Sequence, residues 1–344
     1  MRIAIDLSPL SSGHSNRGIG VYTKELIGAL QTYEKCHEYI ISDGKTKPSS
    51  LIDVVHYPFF DPFFLTLPLS KLHPTVVTVH DLIPLVFPKH FPAGFRGNIK
   101  WQIQKQSLKG VKHIITDSIA SKDDIHRICG RSKESIHPIY LAPSSLYDRI
   151  PSKETIVAVR KKYKLPEGFL LYVGDVNWNK NIPGLIKATA SFSIPLILVG
   201  KAFLDASLAE TREINRIISN LGREKFIIRP GFVLDEDLVC LYELATCLIQ
   251  PSYYEGFGLP VLEAFASGCP VVVSDNSSLS EIAGPGIRVD AQSCESIIYG
   301  IQSVLELSKE KRAQLIEKGH VWVKQFSWKN VAHETVAVYE KALG

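Results

Sequence analysis

The 344-residue chain has no run of about eighteen uninterrupted apolar residues, so no helix is expected to span a membrane. Its opening, MRIAIDLSPL, alternates like a strand and carries no signal-peptide hydrophobic block. The six cysteines, Cys36, Cys129, Cys240, Cys247, Cys269 and Cys294, are scattered and form no CxxC pair. That argues against a zinc cage and fits a reducing cytoplasm. No short-period repeat is evident. There is no GxGxxG, which leaves a nicotinamide dehydrogenase without its fingerprint. Asp235-Glu236-Asp237 is the nearest thing to a metal-binding acidic triplet, but Leu238, Leu241 and Leu244 follow at helical spacing. Carboxylates in a first helical turn complement the macrodipole. Asp123-Asp124 reads the same way, and no metal is expected.

What is present describes an ordinary globular protein, 45% apolar and 22% charged. The length favours two domains over one core. Net charge is +4 but uneven: residues 1–150 hold 18 Lys and Arg against 13 Asp and Glu, and nine of the eleven histidines. An N-terminal half that meets something anionic and ordinary surface variation both account for this.

Along the chain, strands alternate with helices, the pattern of parallel doubly wound sheets. Arg2 to Leu7 reads as a strand, Ser8 to Arg17 as a polar loop, and Val21 to Leu30 as a helix. Gly18 and Gly20 precede that helix as in a phosphate-binding turn, or serve the turn alone. Asp53 to Tyr57 and Thr75 to Val79 are further strands. The β-branched TVVTV suits a central parallel strand and delivers His80 to its carboxyl end, where ligands of open α/β sheets sit. Asp81 either orients His80 or caps the next turn. Phe95 to Lys112 has helical spacing, with Lys105, Lys109 and Lys112 on one face. That face is either solvated or a patch for anionic lipid headgroups with Trp101 as its interface anchor. Residues 57–69, aromatic and proline-rich, line a cleft or touch lipid. Val111 to Thr116 and Ile136 to Leu141 are strands, and 142–153 reads as a linker. Beyond it come a helix at 153–163, strands at 169–173, 195–199, 226–228 and 247–250, and helices between them. Pro230-Gly231 reads as a turn. Ser327 is a good N-cap for a last helix to about Lys341.

The most informative stretch is PSYYEGFGLPVLEAFASGCPVVV, residues 251–273. Pro260 suits a first helical position and Gly268 a helix stop. Gly256, Phe257, Gly258 and Leu259 place backbone N–H groups at a helix N-terminus, an anion site. Glu255 and Glu263, eight residues apart, add carboxylates that accept from hydroxyls. Amides for phosphate and carboxylates for sugar hydroxyls stand in one segment.

EGFGLPVLE resembles the glutamate-x7-glutamate motif of the GT4 retaining glycosyltransferases. PSYYEGFGLPVLEAFASGCPVVVSD is similar to that family almost position by position. The resemblance spans nearly the whole chain and is weakest in 31–74. It implies the GT-B fold: α/β, two tandem Rossmann-like doubly wound parallel-sheet domains facing a central cleft. The expected division is 1–150, on the acceptor side, with helix 326–344 crossing back onto it, and 151–325, which binds the nucleotide sugar. By resemblance Glu263 holds the ribose diol, and Glu255 with Gly256 to Leu259 holds the donor sugar. Gly18 and Gly20 approach the diphosphate, Lys180 neutralises it, and His80 faces the donor sugar; Glu255, His80 and Lys180 form the catalytic set. The loop 174–181 departs from the family pattern. Asp175 stands where many relatives have an arginine, which leaves Lys180 as its only cation, to be helped by Arg17 or Arg229.

The activity so implied is retaining, metal-independent transfer of a hexosyl unit from a nucleotide-diphosphate sugar to a saccharide or lipid-linked acceptor. VHDLIPL and a YLAP linker resemble bacterial mannosyltransferases of polysaccharide assembly, which points to GDP-mannose. Expected partners are the nucleotide sugar, the acceptor and an anionic membrane surface touched peripherally from the cytoplasm, with no nucleic acid. Rival readings are a sugar-nucleotide epimerase, a phosphorylase with pyridoxal phosphate on a lysine, and a non-catalytic scaffold on the same fold.

Overall fold

A computed structural model describes residues 1–8, 10, 18–42 and 51–344. Most of the loop expected at Ser8 to Arg17, Arg17 included, lies outside the described residues. The chain divides into two compact units, Met1–Ala142 with Phe326–Gly344, and Pro143–Gln325.

The first unit runs β1 (Arg2–Asp6), α1 (Gly18–Tyr33), β2 (Glu38–Ser42), β3 (Val54–Tyr57), β4 (Thr75–Thr78), α2 (Ile83–Val86), α3 (Gly94–Lys109), β5 (His113–Thr116), α4 (Ile119–Cys129) and β6 (Ile136–Pro138). Its six strands are all parallel, in the order β2-β1-β3-β4-β5-β6. β4, TVVT, is buried along its whole length, as a strand covered on both faces must be. Val77 and Val79 pack with Ile114, Leu108, Ile125 and Trp101 in the core of this unit. α4 starts at Ser118, whose side chain accepts from the Ser121 N–H, a cap worth about 1 kcal/mol.

The second unit runs α5 (Lys153–Tyr163), β7 (Leu170–Val173), α6 (Ile182–Thr189), β8 (Leu196–Val199), α7 (Ala209–Asn220), β9 (Ile227–Gly231), α8 (Asp235–Leu244), β10 (Cys247–Gln250), α9 (Leu259–Ala266), β11 (Val271–Ser274), α10 (Ser277–Ile282), β12 (Ile287–Val289), α11 (Cys294–Leu305) and α12 (Lys309–Val323). Its strands are parallel in the order β12-β11-β10-β7-β8-β9. Succession from β7 proceeds to β8 and β9 on one side, then returns to β10, β11 and β12 on the other. The order therefore reverses between β7 and β10, and loops at the carboxyl ends of those two strands frame the ligand position of such a sheet. Leu170, Tyr172, Leu198, Ile249 and Val272 from the strands pack with Leu185, Ile186, Ile214 and Ile301 from the helices. A single-turn segment at Ser145–Asp148 packs on α8 and α9, so the residues after Ala142 go with this unit.

The last helix, α13 (Trp328–Leu343), belongs to the first unit. Ser327 caps it by accepting from the Asn330 N–H. It packs on α1 and across β3, β4 and β5, burying Val331, Ala332, Val336 and Tyr339.

Several sequence expectations change. α1 begins at Gly18 rather than Val21, so Gly18 and Gly20 lie in its first turn, not in a loop before it. α3 ends at Lys109, and Lys112 lies beyond it, donating its backbone N–H to Thr75. The three lysines do not share one helix face. Trp101 is buried in the core with Val77 and Leu108, so it does not anchor a lipid interface. Pro230-Gly231 ends β9 instead of forming a free turn. β2 and β12 were not anticipated: EYIIS and IRV are short edge strands with little alternation to mark them.

Candidate functional site

In the second unit, the loops after β7 and β10 meet over the reversal of strand order. Gly174 follows β7, and Gly200 follows the neighbouring β8. A Cβ on Gly200 would lie 2.1 Å from the Gly174 carbonyl oxygen, so the backbones approach more closely than any side chain allows. The β7 loop then turns through Trp178 to Lys180. Asn179 is buried and donates to the Tyr254 carbonyl at 2.9 Å, while its own carbonyl accepts from the Tyr253 N–H at 2.7 Å. Asn181 caps α6 and donates to the carbonyls of Pro251 and Ala291. These bonds fix one loop on the other.

The consequence is the pairing of Lys180 with Glu255. Lys180 Nζ donates to Glu255 Oε2 at 2.6 Å, and the glutamate is 5% exposed. Its other oxygen, Oε1, accepts from Gln250 Nε2 at 2.9 Å and Ser252 Oγ at 2.7 Å. Three donors offset the cost of burying its carboxyl oxygens. The Glu255 loop is clamped from α10: the Glu255 N–H donates to Ser277, and Ser278 Oγ donates to the carbonyls of Glu255 and Phe257. Gly256 and Phe257 are buried with it. Gly258 then caps α9 at φ +113°, where a Cβ would come within 2.7 Å of Leu279. Pro260 falls in the first turn. The N-terminus of α9, opening at Leu259, thus follows directly on Glu255.

Glu263 stands one turn into α9, half-buried. Its Oε2 accepts from the Tyr242 hydroxyl of α8 at 2.8 Å. Tyr147 packs edge-on against Tyr242, with ring centroids 5.9 Å apart, and bonds the same carboxyl. Burial pushes the Glu263 carboxyl up to about 7; the Tyr242 hydroxyl pulls it back, nearby Asp235 adds to the rise, and Tyr147 opposes it. Near neutrality this group divides between acid and carboxylate. Asp235, Glu236 and Asp237 occupy the first turn of α8, and Asp237 accepts from Lys162 and Tyr163. Arg229 donates through one guanidinium nitrogen to Asn215 on α7.

The first unit holds a separate cluster. β4 and β5 are paired neighbours, so His80, just after β4, and Asp117, just after β5, emerge side by side. His80 Nδ1 lies 2.8 Å from Asp117 Oδ2. Burial disfavours charge on the imidazole, but Asp117, with Asp81 nearby, outweighs it and holds its pKa above the ordinary value. Asp117 bonds the ring; Asp81, two residues ahead of α2, accepts from the Ile83 N–H. The Tyr22 ring meets His80 edge-on at 4.7 Å. Behind it runs a buried network: Tyr22 Oη to Thr78 Oγ1 at 3.0 Å, Thr78 Oγ1 to His56 Nε2 at 2.9 Å, and His56 Nδ1 to Tyr339 Oη at 2.7 Å. Burial lowers the His56 pKa to about 3, so it stays neutral.

The structure brings Lys180, Glu255, Gly256, Phe257, Gly258 and Leu259 together, with Glu263 in the same helix. His80, Gly18 and Gly20 lie in the other unit. Gly18 has open space where a Cβ would stand, and Gly20 is buried. Sequence reading missed Asp117, Tyr242, Tyr147, Gln250, Ser252, Ser277 and Ser278. Only Asp117 carried a signal, as a polar residue ending the strand beside that of His80.

Two open parallel sheets, one with a lysine–carboxylate pair at its strand-order reversal, define a doubly wound α/β protein of the Rossmann type. Comparison places it further. Residues 156–322 match the family described as Glycosyl transferases group 1, and residues 45–142 match Glycosyltransferase Family 4. O-antigen chain mannosyltransferase B of Escherichia coli is 33% identical over 303 residues, covering 85% of this chain and 76% of that one. The serotype-specific mannosyltransferase WbdA of Escherichia coli is 26% identical over 295 residues, 82% of this chain, which spans only 35% of WbdA. Among solved structures, HepE of Anabaena in complex with UDP and glucose is 18% identical with a TM-score of 0.73, covering 98% of each chain. The chain belongs to the GT4 glycosyltransferases of GT-B fold.

Proposed function

We propose that this glycosyltransferase moves a mannosyl unit from GDP-mannose to a saccharide or lipid-linked acceptor, with retention and without a metal. The observation that carries the reading is the Lys180–Glu255 pair over the β7/β10 reversal, with Glu263 following in α9. The donor's ribose diol donates to Glu263. Its diphosphate lies against Lys180 and the N-terminus of α9. The donor sugar meets Glu255 and the backbone of Gly256, Phe257, Gly258 and Leu259. Charge that develops on the leaving diphosphate is stabilised by a preorganised cation and amides, while His80, held by Asp117, acts in the transfer step. The curated relatives' names support mannose, and the UDP complex of HepE supports a nucleotide ligand on this fold.

A lipid-linked acceptor fits one further feature of the first unit. Phe64, Leu65, Leu69 and Leu72, with Phe95 and Ile99 of α3, are all exposed. Lys100 lies over the Phe64 ring, 4.9 Å from its centroid. Exposed apolar side chains beside a lysine suit the surface of an anionic bilayer.

The test is a thermal-shift screen of nucleotide sugars followed by turnover with the best binder. GDP-mannose at about a hundred times its Kd should add about 2.7 kcal/mol of stability. Stabilisation by a uridine or adenosine sugar alone would reassign the donor. Release of altered sugar nucleotide from donor alone would indicate an epimerase.

A further inference from the structure

Three side chains unused by either cluster converge at the end of α1. Glu34 follows the helix directly, and the turn into β2 brings Cys36 and His37 back beside it. One ligand atom from each lies within 4.8 Å of the other two. Cys36 Sγ is 3.4 Å from His37 Nε2. A thiolate and an imidazole take about that spacing when they bind one tetrahedral ion at about 2.3 Å and about 2.0 Å. The Met1 amino group, 3.2 Å from His37 Nδ1, leaves Nε2 to the thiol.

Glu34 is itself held from 299 residues away: His333 on α13 places Nδ1 3.3 Å from Glu34 Oε1. His333 stands outside the group of three, so it supports the carboxylate and not the ion directly. Thiolate, imidazole and carboxylate suit zinc rather than magnesium or calcium, which take oxygen donors. Cys36 is exposed, whereas the other five cysteines are buried or half-buried. The cluster sits where α1 ends and β2 begins, the amino edge of the sheet, whereas His80 leaves the carboxyl edge.

We propose that Glu34, Cys36 and His37 form a zinc-type site at the end of α1, with His333 of α13 orienting the Glu34 carboxylate from behind. On binding, the Cys36 thiol gives its proton to solvent and a thiolate–metal bond forms, with no change of oxidation state. The ligands escaped the sequence reading because they follow no CxxC spacing, and the supporting His333 lies in α13.

The test is a cobalt titration of the full, tag-free, metal-stripped chain, read by absorbance. One equivalent should give tetrahedral d–d bands with a thiolate charge-transfer band, and zinc should displace it. Cys36→Ser should lose the charge-transfer band. His333→Ala should keep it but bind at least about tenfold more weakly, the scale of losing one supporting group at a metal. Cys294→Ser should match the parent. Zinc should raise the melting temperature of the parent and leave that of Cys36→Ser unchanged. No charge-transfer band at one equivalent, its persistence in Cys36→Ser, or unchanged affinity in His333→Ala would each overturn the proposal. Equal far-UV spectra of the metal-free parent and variants exclude misfolding as the cause.

Discussion

Lys180 Nζ and Glu255 Oε2 lie 2.6 Å apart, joining the loops that leave β7 and β10. Each side chain therefore has two duties: it closes the loop pair, and it is offered to a ligand. Lys180→Met should show both. Losing a hydrogen bond to a charged group costs roughly 1.5–3 kcal/mol, less here because Gln250 and Ser252 still serve Glu255. Donor affinity and turnover should fall together, and Lys180→Arg should keep part of each. Urea denaturation and donor titration separate the two effects; parent-like binding in Lys180→Met would move the diphosphate elsewhere.

Glu263 makes nucleotide binding pH-dependent. Its carboxyl titrates at about 7 in the folded chain. A ribose diol donates best to the ionised form, so affinity for a nucleoside diphosphate should rise as pH rises through 7. Glu263→Gln should flatten that profile. Stability runs the other way: a carboxyl raised on folding stabilises fully below its unfolded pKa and loses that contribution as pH rises through about 7. Calorimetry at several pH values, with and without nucleotide, checks both signs.

Asp117 should control His80. Asp117→Asn removes the charge that holds the imidazole pKa up, so the His80 resonance should titrate at lower pH and turnover should fall with nucleotide affinity unchanged. Because the folded pKa is raised, the contribution of this pair to stability is present below the ordinary histidine pKa and fades as pH climbs through the folded one. An unmoved titration in Asp117→Asn would break the link.

His56 should set acid sensitivity in the first unit. Its pKa falls to about 3 on folding, so the unfolded chain takes up a proton that the folded chain refuses. Stability should drop as pH falls below about 6.5 toward 3. His56→Gln should remove part of that slope. It also risks a buried unpaired Tyr339 hydroxyl, at about 1–3 kcal/mol.

Transfer should survive EDTA, since cations and amides of the chain face the diphosphate in our reading. The same treatment should lower the melting temperature of a zinc-loaded sample. Loss of turnover with EDTA, regained with manganese, would contradict the metal-free reading.

Much of this was legible in the residues. TVVTV, CLIQ and VVVS are β-branched or apolar runs that only a covered strand tolerates, and Ser118, Ser152, Ser293, Ser308 and Ser327 each cap the helix they precede. Glu255 and Glu263 were legible because they share one short segment with their backbone. Their holders were not. Tyr242 reaches Glu263 from another helix, and Ser278 reaches the Glu255 loop across 23 positions. Lys112 was misplaced because helical spacing continues past Gly110, where the helix stops.

The hydrogen bond from His56 to Tyr339 spans 283 residues. It imposes an order in time on folding. When Ala142 leaves the ribosome, the first sheet lacks the helix that covers Tyr22, His56 and Thr78. Synthesis at about 5–20 residues per second makes that face wait roughly ten to forty seconds, while the whole second unit is made, before Tyr339 emerges. The nascent chain must hold a half-covered sheet in solution for that interval, and a helix made only after the whole second unit completes the first.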